Sequence, residues 1–175
     1  MTEAYLSNAM NAYGPTVYRL ALCRMQNIAD AEDVYQEVFL RLWKQAAEDW
    51  DGDRAKAWLI RTTLNRCADL HRFHLRRPVL SFAEIPDLAQ PEDESRELWE
   101  AVSRLPEKAR TAVHLYYAEG YSAEEIGQLM HIPAATVRTR LHRARKQLKE
   151  LLGGIDDETC VSRSDGTNFG PQRAE

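Results

Sequence analysis

A chain of 175 residues is long enough for one domain or two small ones, and its 44% hydrophobic content is enough to bury cores, which excludes a wholly disordered protein. A formal net charge of -4 favours solubility and, taken alone, argues against nucleic acid as a partner. No apolar run reaches the roughly 18 residues that a membrane span needs, the opening MTEAYLSNAM has neither a basic nor an apolar signal region, and Cys23, Cys67 and Cys160 are odd in number and far apart. The expectation is a soluble cytoplasmic protein without a disulfide framework or membrane insertion.

Everything periodic reads as helix, because no stretch alternates β-branched residues with period two. A first helix is expected from about Tyr5 to Gln26, with a bend at Gly14-Pro15. Asp30 then reads as the N-cap of a second helix carrying the stripe Val34, Val38 and Leu42 and ending near Glu48. Turn chemistry at Asp51-Gly52-Asp53 separates it from a third helix, Arg54 to Leu75. The prolines and acids of residues 79–94 read as a linker. Four helices follow: Asp93 to Arg104, Pro106 to Ala118, Ser122 to Met130, and Pro133 to Leu152. The tail after Gly153-Gly154 has little apolar content and is expected to be disordered. The fold class expected is all-α: two small helical domains, 1–78 and 95–152, joined by a flexible linker at 79–94, with residues 153–175 as the tail.

The pair of helices at the end of the second domain carries the most specific pattern. Ser122 is an N-cap with Glu125 at the capping-box position, and Ile126, Leu129 and Met130 form the buried side. His131-Ile132-Pro133 then makes a tight turn, in which histidine tolerates a left-handed backbone and Ile132 plugs the angle between the helices. On the following helix Val137, Leu141, Ala144, Leu148 and Leu151 make one apolar stripe. The segment AATVRTRLHRARKQL carries five positive charges and no acid. A short helix, a turn and a basic helix make a DNA-binding helix-turn-helix, with Arg138, Thr139, His142 and Arg143 placed for base edges and Arg140, Arg145 and Lys146 for phosphates. The plainer reading of a charge run is a solvated face. The coincidence of cap, turn and missing acid favours DNA.

Two other helices differ in kind. Arg54 to Arg77 holds seven lysines and arginines against the single acid Asp69. Its apolar stripe is Ala57, Ile60, Leu64, Cys67 and His71, while Arg61, Asn65, Asp69, Arg72 and Arg76 lie along another face. With Trp50, Trp58 and Phe73 interleaved, this surface suits a single or partly melted strand whose bases can stack. For Trp58 core packing is the better reading. The second helix, DAEDVYQEVFLRLWKQ, instead crowds Asp30, Glu32, Asp33 and Glu37 into its N-terminal half. Facing Asp33, Gln36 and Glu37 outward, it reads as a protein-docking face rather than a DNA surface.

Taken in order, DAEDVYQEVFLRLW, AWLIRTTLNRCADLHR and LPEKARTAVHLYYAEGYSAEEIGQLMHIPAATVRTRLHRARKQL resemble a bacterial RNA polymerase sigma factor of the extracytoplasmic-function, or group IV, type. The resemblance runs from about Tyr5 to Leu152 and implies regions 2 and 4 of that family. It implies that Asp33, Gln36 and Glu37 dock on the clamp helices of the polymerase β′ subunit, with the β subunit as a further partner. Arg61, Asn65, Asp69 and Arg72 would melt and read the −10 promoter element, and the loop Glu48 to Asp53, with Trp50, would take up a flipped-out base. Arg138, Thr139, Arg140, His142, Arg143 and Lys146 would engage the −35 element as duplex. An anti-sigma factor is implied as a regulatory partner, and the chain itself would catalyse nothing.

The sequence has no Gly-rich phosphate loop and no G-x-S-x-G elbow. Cys67, His71 and His74 lie at i, i+4 and i+7, spacing that could turn three ligands toward one zinc ion. The plainer account is that Cys67 and His71 complete the buried stripe, so no metal and no cofactor is expected. The alternative function is a conventional helix-turn-helix regulator that binds duplex DNA without polymerase. It leaves the paired acidic and basic helices of the first half unexplained.

Overall fold

A computed structural model of the chain describes residues 3–45, 52–76 and 93–153. Among these residues there are seven α-helices, one π-helical turn and no strand. The N-terminal unit comprises α1 (Glu3–Met25), α2 (Ile28–Lys44) and α3 (Gly52–Arg76). The C-terminal unit comprises α4 (Asp93–Ser103), α5 (Glu107–Val113), the π-helical turn His114–Ala118, α6 (Ala123–Met130) and α7 (Ala134–Leu151).

Helix α1 runs unbroken through Pro15, and from Leu20 to Met25 every residue is buried. A helix buried all round needs neighbours on several sides. Here α2 and α3 flank α1 within its own unit, and α5 packs against it from the other. The chain leaves α1 through Gln26, whose φ of 52 is left-handed. Asn27 then caps α2, its side-chain oxygen accepting from the Asp30 amide at 3.0 Å. The N-cap is therefore Asn27 and not Asp30, because the reversal at Gln26 starts the helix three residues earlier than the apolar stripe does. Asp30 sits inside the first turn and faces His74, with 3.3 Å between Oδ1 and Nε2. Helix α2 also stops at Lys44, short of Glu48.

Two apolar clusters hold the molecule. One joins α1, α2 and α3 through side chains including Val17, Ala21, Val34, Val38, Leu42 and Leu59. The other is built on Ile126, Leu129, Val137 and Leu141 of the C-terminal unit, and it takes in Leu20 of α1 and Ile60 and Leu64 of α3. The α3 face that covers the N-terminal core thus also touches the C-terminal unit. In the stretch expected as one helix from Pro106 to Ala118, the last turn widens to π geometry, with the Glu119 amide bonded to the His114 carbonyl at 3.2 Å. Trp50, residues 79–92 of the expected linker, and the tail beyond 153 lie outside the described residues.

Candidate nucleic-acid interface

The helix-turn-helix forms as the sequence reading expects. Ser122 and Glu125 close a reciprocal capping box at the start of α6. His131 ends α6 with φ 55 and ψ 47, in the left-handed region, and the Ile132 amide returns to the Gly127 carbonyl at 2.9 Å. The turn passes so close over α6 that a Cβ on Gly127 would lie 2.7 Å from the Ile132 carbonyl oxygen. Ile132 packs, half-buried, against the core between the two helices.

Helix α7 buries Val137, Leu141 and Ala144, with Leu148 half-buried. Leu151, expected to continue this stripe, is 36% exposed, because α7 runs past the end of the core there. Ala135, Arg138, Thr139, His142, Arg143, Arg145 and Lys146 are exposed, and Arg140 is half-buried. Arg138 is ion-paired across the turn to Glu124 of α6. The Thr139 hydroxyl donates to the Ala135 carbonyl at 3.0 Å, which leaves its lone pairs outward. The candidate base-reading residues thus share one solvated face.

On α3, Arg61, Asn65, Asp69 and Arg72 are all exposed, with Arg72 Nη1 3.2 Å from Asp69 Oδ1. An exposed pair of this kind contributes about 0–1 kcal/mol, so it yields readily to a phosphate or a base. Trp58 is half-buried against the N-terminal core, in keeping with core packing. Phe73 is 50% exposed and meets the His74 ring edge-on, with 6.0 Å between centroids.

Helix α2 turns Asp33 and Gln36 to solvent, with Glu37 partly exposed. Arg41 donates from Nε to Glu37 Oε1 at 2.9 Å. That hydrogen bond, helped by the charges of Arg41, Arg66 and Lys44, holds the Glu37 carboxyl below its ordinary range. Beside these residues lies an apolar groove that the sequence reading missed, lined by Leu6, Met10, Tyr35, Phe39, Leu40 and Trp43. Leu40 and Trp43 are 53% and 45% exposed. They interrupt the polar side of α2 at its C-terminal end, a signal visible in the sequence as LRLW, of which the expected stripe took in only Leu42.

Cys67, His71 and His74 do not converge. Cys67 is fully buried, and burial pushes its thiol up to about 12, which keeps it protonated and a poor metal ligand. His71 faces Glu107 at 3.7 Å and His74 faces Asp30. Among the described residues no group of three His, Cys, Asp or Glu is arranged to hold a metal ion, and no helix is long and apolar enough to cross a membrane.

Comparison with known proteins agrees with this arrangement. Residues 9–77 match Sigma-70 region 2, and residues 95–148 match Sigma-70, region 4. The chain is 35% identical over 157 residues to the ECF RNA polymerase sigma factor SigE of Mycolicibacterium smegmatis, covering 83% of this chain but 61% of that protein. Against the ECF RNA polymerase sigma factor SigM of Bacillus subtilis it is 32% identical over 155 residues, covering 83% and 94% of the two chains. The chain therefore spans less than two thirds of the first relative and nearly all of the second. Its fold is similar to that of the sigma factor RpoE in complex with the anti-sigma factor NepR from Bartonella quintana, with a TM-score of 0.72, 24% identity, and coverage of 86% and 98%. With both sigma regions matched in order and their helices in place, the chain belongs to the extracytoplasmic-function sigma factor family.

Proposed function

We propose that the chain is a promoter-specificity subunit of bacterial RNA polymerase, acting in the cytoplasm where that enzyme works. Helix α2 docks on the polymerase through Asp33, Gln36 and Glu37, with the neighbouring Leu40 and Trp43 groove supplying apolar contact. The exposed α3 face, Arg61, Asn65, Asp69 and Arg72, engages the −10 element as it melts, and Trp50 receives an unstacked base. Helix α7 reads the −35 duplex with Arg138, Thr139, His142 and Arg143, while Arg140, Arg145 and Lys146 hold phosphates. The subunit catalyses nothing itself and needs no cofactor; it supplies sequence recognition. An anti-sigma factor fits as regulatory partner, as NepR is for the RpoE relative.

The observation that carries this reading is the sorting of charge on α2, α3 and α7. The core uses none of these polar faces, and each carries the sign its partner requires. A regulator acting alone on duplex DNA has no need of an acidic helix flanked by an exposed apolar groove.

The test is co-elution with bacterial core RNA polymerase on gel filtration at micromolar concentration. Wild type should co-elute, and an Asp33→Ala, Glu37→Ala double variant should lose most of the complex while keeping its helicity. If wild type fails to co-elute, with no anti-sigma factor present, the duplex-binding regulator becomes the better account.

A further inference from the structure

We propose that Glu124 of α6 is a positioning residue for promoter reading: it holds Arg138 of α7 toward base edges and away from phosphates, and so sets part of the base preference of the helix-turn-helix. The inference rests on the reading of α7 above as the base-reading helix. It adds a residue from the other helix of the motif, one that makes no base contact of its own.

From Ala134 to Leu148 the sequence of α7 holds no acid. The turn nevertheless brings one carboxylate to this basic face. Arg138 Nη2 donates to Glu124 Oε1, and the two side chains remain 60% and 58% exposed. Arg140, Arg143, Arg145 and Lys146 make no ion pair with another described residue. The paired cation is the one in the N-terminal half of α7, the part of a recognition helix that meets base edges. An acid in the first turn of α6 also suits the helix dipole, but Glu125 stands there as well. The Glu125 carboxylate is committed to the capping box, accepting from the Ser122 amide and hydroxyl at 2.8 Å each. Glu124 takes no part in that cap. Nor does its ion pair hold the motif together, because a pair this exposed adds little to stability. The capping box, the left-handed His131 and the Ile132 amide on the Gly127 carbonyl fix the turn instead. A carboxylate beside a DNA-reading face also repels the phosphate backbone, which lowers affinity. Its gain must lie in selectivity.

The physical reason is the reach of arginine. An unanchored guanidinium on its long stem finds a phosphate as readily as a base, and a phosphate contact carries no sequence information. Anchoring one nitrogen changes that balance. Glu124 occupies one N–H of Arg138 Nη2. The remaining N–H groups suffice for the bidentate contact to guanine O6 and N7 that arginine makes in the major groove. A swing toward phosphate then breaks an ion pair, whereas a base contact keeps it.

The experiment presents duplex DNA with a randomised central segment to the full chain, alone and bound to core RNA polymerase, and sequences the retained fraction. The forms compared are wild type, Glu124→Gln, Arg138→Ala and the two changes together. Wild type should enrich a motif, and Arg138→Ala should lose the preference at the base pairs that Arg138 reads. Glu124→Gln should weaken the preference at those same pairs by about fivefold or more and leave the others as they were. In the Arg138→Ala background Glu124→Gln should change nothing further. A salt series on one unselected duplex gives a second readout. There the slope of log K against log salt should steepen by about 0.9 in Glu124→Gln, as the released arginine takes a phosphate. A merely structural role moves neither readout at unchanged helicity, which circular dichroism checks. Full preference in Glu124→Gln at the pairs read by Arg138 overturns the proposal. So does a loss at pairs that Arg138→Ala leaves intact, which would make Glu124 a base reader itself. Uniform loss at every pair with lowered helicity overturns it too, as a folding effect. No enrichment by wild type in either form removes Arg138 as a base reader and the proposal with it. A chain that selects a motif alone but never binds core polymerase instead overturns the sigma subunit reading, and the Glu124 result stands.

Discussion

Arg110 and His114 lie one helical turn apart, and both are buried. In the sequence Arg110 reads as one more cation on a helix surface. Only the packing of α5 against α1 turns its guanidinium onto four main-chain carbonyls. Arg110→Ala leaves those carbonyls without their charged donor in a dry seam. The expected loss is about 3 kcal/mol, readable as a lowered urea midpoint. His114 is 5% exposed, and burial lowers its pKa from 6.5, with Arg19 acting in the same sense and Glu119 at 3.9 Å opposing. The folded chain therefore holds His114 neutral at pH values where the unfolded chain has protonated it. Below about pH 6.5 the unfolded state binds the extra proton, so stability falls on acidification and is regained as pH rises. Between pH 7 and pH 5 the Tm of wild type should drop more steeply than that of a His114→Gln variant. Equal slopes would mean that other groups set the acid limit.

At the scale of elements, the sequence was most legible where local chemistry decides the outcome. The Ser122–Glu125 capping box and the left-handed His131 are satisfied within a few residues, and both form as read. The start of α2 was misread, because the apolar stripe drew the boundary to Asp30 while the left-handed Gln26 and the Asn27 side chain set it earlier. The π-helical turn at His114–Ala118 had no sequence signature, since its amide shift is set by what packs on either side. Gly127 belongs to this scale as well. Its missing Cβ lets the Ile132 carbonyl cross α6, and both nearby atoms, Ile132 O and Ala134 N, are main chain and cannot swing away. Gly127→Ala should destabilise the chain by about 1–3 kcal/mol. Differential scanning calorimetry would show this as a lower Tm, and an unchanged Tm would mean that the turn relaxes freely.

At the scale of the whole molecule, a net charge of -4 coexists with the basic helix α7, proposed above to read DNA, because the signs are segregated. Ala134 to Leu148 contributes five cations without an acid, so all 27 acids lie elsewhere in the chain. Free protein should therefore bind promoter duplex weakly through α7 alone. Each phosphate contact steepens log K against log salt by about 0.9, so the three contacts proposed for Arg140, Arg145 and Lys146 give a slope of roughly −2.7. Fluorescence anisotropy across a salt series measures this slope. Tight binding with a steeper slope would mean that α3 also grips closed duplex, contrary to the role proposed for it.

The sequence by itself determined what depends on neighbours along the chain. The helical periods, the caps and turn of the helix-turn-helix, and the basic or acidic character of α2, α3 and α7 are all written in residues three or four apart. Tertiary structure alone decided which polar residues leave the surface. Glu107, Arg110, His114 and Glu119 have the composition of an exposed helix and its following loop, yet they are buried or half-buried against α1 and α3. No local pattern encodes such a seam, because its partners, such as Cys23 and Arg110, stand 87 residues apart in the chain. Charges enter a low-dielectric contact only when a distant segment brings the matching donor or acceptor.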